Sequence, residues 1–414
     1  MKTLLVLATL LGIGMSFPGP LTPTVRFQAR RQTNIRLGDL IQEFALDMSS
    51  DLWEKPSSVV FSPLSITSLL SVLMMGASGA TKQQLHNALY YPSSVGDDVI
   101  HRSFQSLAHS LGSSNSDVII NMASRLFLQS GASILSNFTQ DAQNYYDATV
   151  RTLQFRSDPL GSMNAINNWV NRNTNGKIPQ LLTQPMSPDT IFVAANTVYF
   201  NGAWENPFDE FSTHDGIFNT GKTNITVPMM RTTMKVPYIF IRELNAEMIA
   251  LPYKGKQFAM FFIVPKGPIE DRVLQEVEFA LDADTLNRYI GEMKNSTRAI
   301  AVPRMRLDYK TYLKENLQRL NINLMFDSIR ADFSKLTAND HVWVDDMIHQ
   351  TVVEITETGT EAAAATATSL NRIGTSNSFE VNRPSLFFIR HLSSGLPLFW
   401  GRIIEPQPLY AQRQ

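Results

Sequence analysis

The chain has 414 residues, 43% of them hydrophobic and 18% charged, with a formal net charge of −1. This is an ordinary globular composition, and it leaves no global field that would recruit nucleic acid or a membrane surface. There is no cysteine, so stability has to come from a large core rather than from covalent staples.

The N-terminus reads as a leader. Met1, Lys2 and Thr3 make a short basic start, and Leu4 to Ile13 is an apolar run too short to cross a bilayer. Gly14 and Ser16 supply the small residues a signal peptidase needs, so a secretory leader over 1–16, cleaved near Ser16/Phe17, is predicted. An extension over 17–34 follows, with Arg26, Arg30 and Arg31 and, just beyond it, Arg36; it reads as a solvated tail rather than a polyanion contact. Secretion makes three sequons candidate glycan sites: Asn137, Asn224 and Asn295.

Helical spacing starts at Ile35 and runs to Met48. Ser62 and Pro63 then open a helix, with Ser as N-cap and Pro in the first turn. It is apolar almost all round as far as Gly79 and should be buried. Thr81 is expected to cap a further short helix, Asp97 to Leu111 is amphipathic, and Met163 to Thr174 predicts another helix. Strands follow. Ile191 to Tyr199 is a near-continuous apolar, β-branched run, expected as a central strand buried on both faces. Glu247 to Tyr253 and Phe258 to Pro265 predict a hairpin. Tyr309 to Leu320 predicts a helix ending at Asn321, a residue that tolerates the left-handed cap. Val342 to Ile355 and Leu398 to Ile404 are the last strand candidates. The pattern implies one α+β domain over 35–414.

The chain's seven histidines invite a hydrolase reading, but it holds neither G-x-S-x-G nor H-E-x-x-H, and no glycine-rich phosphate loop. No cofactor and no metal are expected. The most informative tract is Glu357 to Ser369, E-T-G-T-E-A-A-A-A-T-A-T-S, in which side chains after Glu361 are small and uncharged. Small residues of this kind suit a solvated loop and a buried strand equally, which points to a segment that changes state.

Several motifs together resemble the serpin family. They are Phe61-Ser62-Pro63-Leu64-Ser65-Ile66; Asn196 to Trp204, followed in register by Phe208, Thr213 and Phe218; Val227-Pro228-Met229-Met230; Leu251-Pro252-Tyr253; and Val302-Pro303-Arg304-Met305. The tract from Glu357 is similar to the reactive-loop hinge, with Glu357, Gly359, Thr360, Glu361, Ala362, Ala363, Ala364, Ala365 and Thr366. Asn382-Arg383-Pro384 and Phe399-Trp400-Gly401-Arg402 resemble the C-terminal signature. Departures are Ser58 in place of Asn, Asn321 in place of Gly, and Ser385 in place of an aromatic residue.

The resemblance implies a large central sheet, two smaller sheets, about nine helices and an exposed reactive-centre loop near 357–377. It also implies that Ser62, Ser65, Asn196 and His349 form a latch under the central sheet, with Trp204 and Glu357 at its top. None of these is then catalytic, and the chain is not an enzyme. The implied activity is suicide inhibition by a monomer, whose partner is a serine protease held as a covalent acyl complex. Alternation supports insertion. Thr360, Ala362, Ala364, Thr366, Thr368 and Leu370 form one face, and none of them would bury a charge. The scissile bond has two candidates. Family spacing, fourteen residues after Gly359 and eleven before Pro384, favours Ile373–Gly374 and an elastase-like target. Side-chain chemistry favours Arg372–Ile373 and a trypsin-like protease of a coagulation or immune cascade, and it is preferred here because β-branched Ile fits most specificity pockets poorly. The Asp97 to Leu111 helix carries Arg102 beside His101 and His109, so only weak glycosaminoglycan contact is expected there.

Overall fold

The computed structural model describes residues 36–54, 57–112, 118–359 and 377–410, which fall in one compact unit. The leader, the extension with Arg26, Arg30 and Arg31, hinge residues Thr360 to Thr366 and both candidate bonds at Arg372, Ile373 and Gly374 lie outside the described residues.

Helix α1 (Leu37–Asp51) precedes the short strand β1 (Val59–Phe61) and α2 (Pro63–Gly76). The N-cap role of Ser62 is realised: its hydroxyl accepts from the Ser65 N–H, and α2 is buried on nearly every side. The helix stops at Gly76 rather than Gly79, because Gly79 opens α3 (Gly79–Ala88) with Ser78 as N-cap. Thr81 therefore lies inside α3, where its hydroxyl accepts from the Asp332 N–H instead of capping. Helix α4 (Asp97–Gly112), β2 (Val118–Gln129), α5 (Ser136–Tyr146), β3 (Thr149–Leu153) and α6 (Pro159–Asn173) follow. Helix α6 begins a turn earlier than periodicity suggests, because the Asp158 carboxylate caps Gly161 N–H at 2.8 Å.

The apolar run matures into β4 (Phe192–Gly202), buried along nearly its whole length. Strands β5 (His214–Asn219), β6 (Asn224–Ile241), β7 (Ala246–Pro252) and β8 (Phe258–Pro265) come next, the last two forming the expected hairpin. After α7 (Asp271–Phe279) and α8 (Ala283–Glu292), the chain makes β9 (Lys294–Pro303) and β10 (Met305–Tyr312). The helix expected over Tyr309 to Leu320 is mostly absent. Tyr309 to Tyr312 belong to β10 and pair with β11 (Asp346–Ile355), leaving only α9 (Lys314–Arg319). An eight-residue ladder outweighs weak local helix propensity. The left-handed cap does form, with Asn321 at φ 65°. Strand β11 starts later than Val342, since the Val344 N–H is taken by Met325 O and that of Asp345 by Phe192 O. Strands β12 (Ser378–Glu380), β13 (Ser385–His391), β14 (Pro397–Ile403) and β15 (Gln407–Pro408) complete the described residues.

The central sheet has the order β15-β10-β11-β4-β2-β3. The other strands run β1-β14-β13-β8-β7-β6-β9-β12, with β5 on β6. The two smaller sheets expected from sequence are thus continuous through β6. Its early part pairs with β5 and β9, and its last four residues, from Tyr238, pair with β7. Nine α-helices lie among the described residues, and none is long and apolar enough to cross a membrane. One face of the central sheet packs on α6, where Ile166, Trp169 and Val170 meet Phe127, Val193, Ala195, Ile348 and Val352. Toward α2 on the other face, the Asn196 amide donates to Ser65 O. Departures from the family pattern are accommodated. The Ser58 hydroxyl accepts from the N–H groups of Ile404 and Glu405 and donates to Glu405 O, and buried Ser385 donates to Arg383 O.

Candidate functional site: a latch and a hinge on a parallel seam

Strands β4 and β11 lie side by side and parallel, in register from Val193/Asp346 to Tyr199/Val352. The parallel ladder ends at that rung. A segment leaving the top of β11 and turning back would run antiparallel to both strands. It would exchange one parallel ladder for two antiparallel ones, the slightly more stable pairing.

Midway down this seam sits a polar cluster. His349 on β11 is opposite Asn196 on β4, which is opposite Ser124 on β2. The His349 Nε2 accepts from the Ser62 N–H at 3.1 Å and from the Thr351 hydroxyl at 2.6 Å. Two donors on Nε2 place the proton on Nδ1, which donates to Asn196 Oδ1 at 3.0 Å. The Asn196 amide in turn donates to Ser124 Oγ at 2.8 Å and Ser65 O at 3.3 Å. Ser62, Ser65, Asn196 and His349, singled out from sequence, are therefore brought together, and Ser124 and Thr351 join them. Burial pushes the His349 imidazole down from 6.5 to about 3, and an added proton would point at the Ser62 N–H. Ser62 and His349 are each 0% exposed. The cluster bonds strand to strand and strand to helix.

The second group lies where β11 ends. Trp204, just past β4, donates its indole N–H to Thr356 O at 2.9 Å and its backbone N–H to Thr358 O at 3.1 Å. Its ring stacks on Tyr253 with centroids 4.5 Å apart. The Glu357 carboxylate is buried. It accepts from the Thr213 hydroxyl at 2.7 Å and pairs with Arg304 at 3.1 Å, while the Glu357 carbonyl accepts from the Phe208 N–H at 2.8 Å. Gly359 bridges to Ala203 with φ 121°. A Cβ there would stand 2.1 Å from Gly202 O, so both the angle and the close approach demand glycine. Below, Glu354 receives Arg306 at 2.5 Å and Lys177, from the turn after α6, at 3.1 Å.

Sequence reasoning missed Ser124, Thr351, Thr213, Arg304, Arg306 and Lys177 as members of this site. Arg304 and Thr213 stood in quoted motifs, but spacing alone cannot pair Arg304 with a carboxylate 53 residues away. The three sequon asparagines, Asn137, Asn224 and Asn295, are all exposed. On α4, Arg102 is paired with Asp98 at 2.6 Å and His101 is buried, its Nδ1 2.6 Å from the Tyr146 hydroxyl.

A helix-covered mixed sheet with an interior parallel seam, and a glycine turn at the top of that seam, is a serpin-type fold. The family model described as serpin (serine protease inhibitor) matches residues 39–406. The chain is 34% identical over 378 residues to the leukocyte elastase inhibitor of Equus caballus, a match covering 88% of this chain and 97% of that protein. It is 28% identical over 370 residues to intracellular coagulation inhibitor 2 of Tachypleus tridentatus, covering 88% of this chain and 90% of that protein. Human thyroxine-binding globulin superposes with a TM-score of 0.83 at 26% identity, over 90% of this chain and 98% of that one. The chain belongs to the serpin family.

Proposed function

We propose that this serpin is a secreted suicide inhibitor of a trypsin-like serine protease. The observation that carries the reading is the parallel β4/β11 seam with the Gly359 hinge at its head. The protease serine attacks the Arg372 carbonyl, the Arg372–Ile373 amide breaks, and the leaving amine at Ile373 takes a proton. An ester then joins the protease to Arg372. The freed segment from Thr360 enters the seam antiparallel to both neighbours and carries the protease with it. For this to happen, the His349–Asn196 bond has to open and the Trp204 and Glu357 contacts have to yield. The un-inserted state is then held by a barrier, and its lifetime is kinetic. The chain acts as a monomer, with no cofactor, and is not an enzyme.

Incubation with trypsin-like and elastase-like proteases tests this. A denaturation-resistant complex with a trypsin-like enzyme, and a released peptide beginning at Ile373, is the expected result. A peptide beginning at Gly374, with an elastase-like enzyme trapped, would move the reactive bond to Ile373–Gly374. That alternative is supported by loop spacing and by similarity to an elastase inhibitor. Complete turnover without a complex, and no gain in melting temperature on nicking, would favour a non-inhibitory carrier, a reading supported by the fold shared with thyroxine-binding globulin. Secretion rests on the 1–16 leader, whereas the coagulation inhibitor relative is named intracellular. Mature protein recovered from culture medium should begin at Phe17. Glycans at Asn137, Asn224 and Asn295 should appear as mass lost to an amidase.

A further inference from the structure

At the outer edge of the central sheet, three arginines lie on neighbouring elements, Arg125 on β2, Arg151 on β3 and Arg172 on α6. Arg125 on β2 is half-buried. Its Nε–H donates to Thr149 Oγ1 at 2.6 Å, and its guanidinium lies 5.2 Å from the ring centroid of Trp169 on α6. Trp169 is itself held edge-on to Phe127, with centroids 5.5 Å apart. Arg125 pairs with Thr149 and Phe127 with Arg151, so Arg151 follows on the same face of edge strand β3. Arg172 is three residues beyond Trp169 on α6, and its Nε–H is tied to Asn168 O at 3.1 Å, leaving its terminal nitrogens for another acceptor.

Such an arrangement is unfavourable on its own. Burial lowers the Arg125 pKa, and the charged neighbours that lower it further are Arg151 and Arg172. Among the described residues, none of the three pairs with a carboxylate. Charges placed on an edge strand only to deter pairing could point into solvent. Arg125 instead lies against an aromatic ring with one nitrogen fixed, so its remaining fork is oriented before any ligand arrives.

We propose that Arg125, Arg151 and Arg172 form a binding site for a tetrahedral oxyanion, a sulfate or phosphate monoester, spanning β2, β3 and α6. Guanidinium forks match that geometry through paired N–H donors. An occupied site would fasten α6 to the sheet it covers. The site is separate from the α4 helix, whose Arg102 is already paired with Asp98.

The test is calorimetric titration of the full-length protein with inorganic sulfate, inorganic phosphate and a sulfated hexasaccharide at fixed ionic strength. All three probes should bind, and the Arg151→Gln/Arg172→Gln double variant should lose about tenfold or more in affinity. Both residues are exposed, so the variant's melting temperature should match wild type. Arg102→Gln should bind as wild type does, and Arg125→Lys, which keeps the charge but loses the fork, should bind more weakly. Hexasaccharide binding about tenfold tighter than inorganic sulfate would identify a polymer-borne sulfate as the source, and comparable affinities a free anion. No binding of any probe by wild type, or equal binding by the double variant, overturns the proposal.

Discussion

Acidification should weaken the uncleaved protein through His349 in particular. The group sits near 3 when folded and 6.5 when free. Between those values the unfolded chain holds the extra proton, so stability rises with pH across that window. The contribution is complete above the free value and is lost as pH falls from 6.5 toward 3. Moving from about pH 7.5 to about pH 4.5 should therefore remove about 2–3 kcal/mol through this one residue. Asp346 acts in the opposite sense, because burial raises it from 3.8 to about 6 and its folded form gains from protonation. Burial also lowers His86, His101 and His391, which act in the same direction as His349. A variant isolates the contribution of this imidazole. His349→Gln retains a donor and an acceptor but does not titrate, while every other group is common to both proteins. Urea unfolding of each, repeated across the pH range, should give curves that diverge below about pH 6.5, with wild type falling faster. Parallel curves would refute the assignment of the cluster's acid sensitivity to this imidazole.

Glu357→Gln should lower the urea stability of the uncleaved form by about 3 kcal/mol, because it strips a buried charge from Arg304; unfolding midpoints unchanged from wild type would contradict the pairing. Gly359→Ala should cost about 1–3 kcal/mol at the hinge, since the added carbon meets Gly202 O in a left-handed backbone. Limited proteolysis should then cut the loop faster in the variant. Thr360→Arg should turn the protein into a plain substrate: cleaved loop, no stable protease complex, and no rise in melting temperature on nicking. A stable complex formed by that variant would show that this side chain does not enter the sheet.

Local chemistry announced the elements whose cause is local. Ser62 and Pro63 marked the start of α2, the β-branched run marked β4, and Asn321 took the left-handed cap. Distant partners decided the rest. Tyr309 to Tyr312 could have been helical, and only the ladder to β11 makes them strand. Thr81 looked like a cap because its partner, Asp332, is remote in sequence. Within the site, His349, Asn196, Ser62 and Ser65 could be grouped in advance only through family resemblance. The tautomer, the second donor from Thr351 and the tie to Ser124 required coordinates. Lys177 carried no signal beyond its charge, and the motif that holds Arg304 did not name its partner, since exposed and paired cations read alike along a chain.

The paired cations on Glu354 have a further consequence. Strand β11 is clasped to β10 through Arg306 and to the turn behind α6 through Lys177, just above the last rung it shares with β4. Pulling β11 away from β4 therefore drags β10 along as a unit, and Lys177 must either let go or bring the covering helix with it. Lys177 is partly open to water, so mobile ions can weaken its grip. The waiting time before the sheet opens should shorten in concentrated sodium chloride, which makes the buffer itself a determinant of how long the closed sheet lasts.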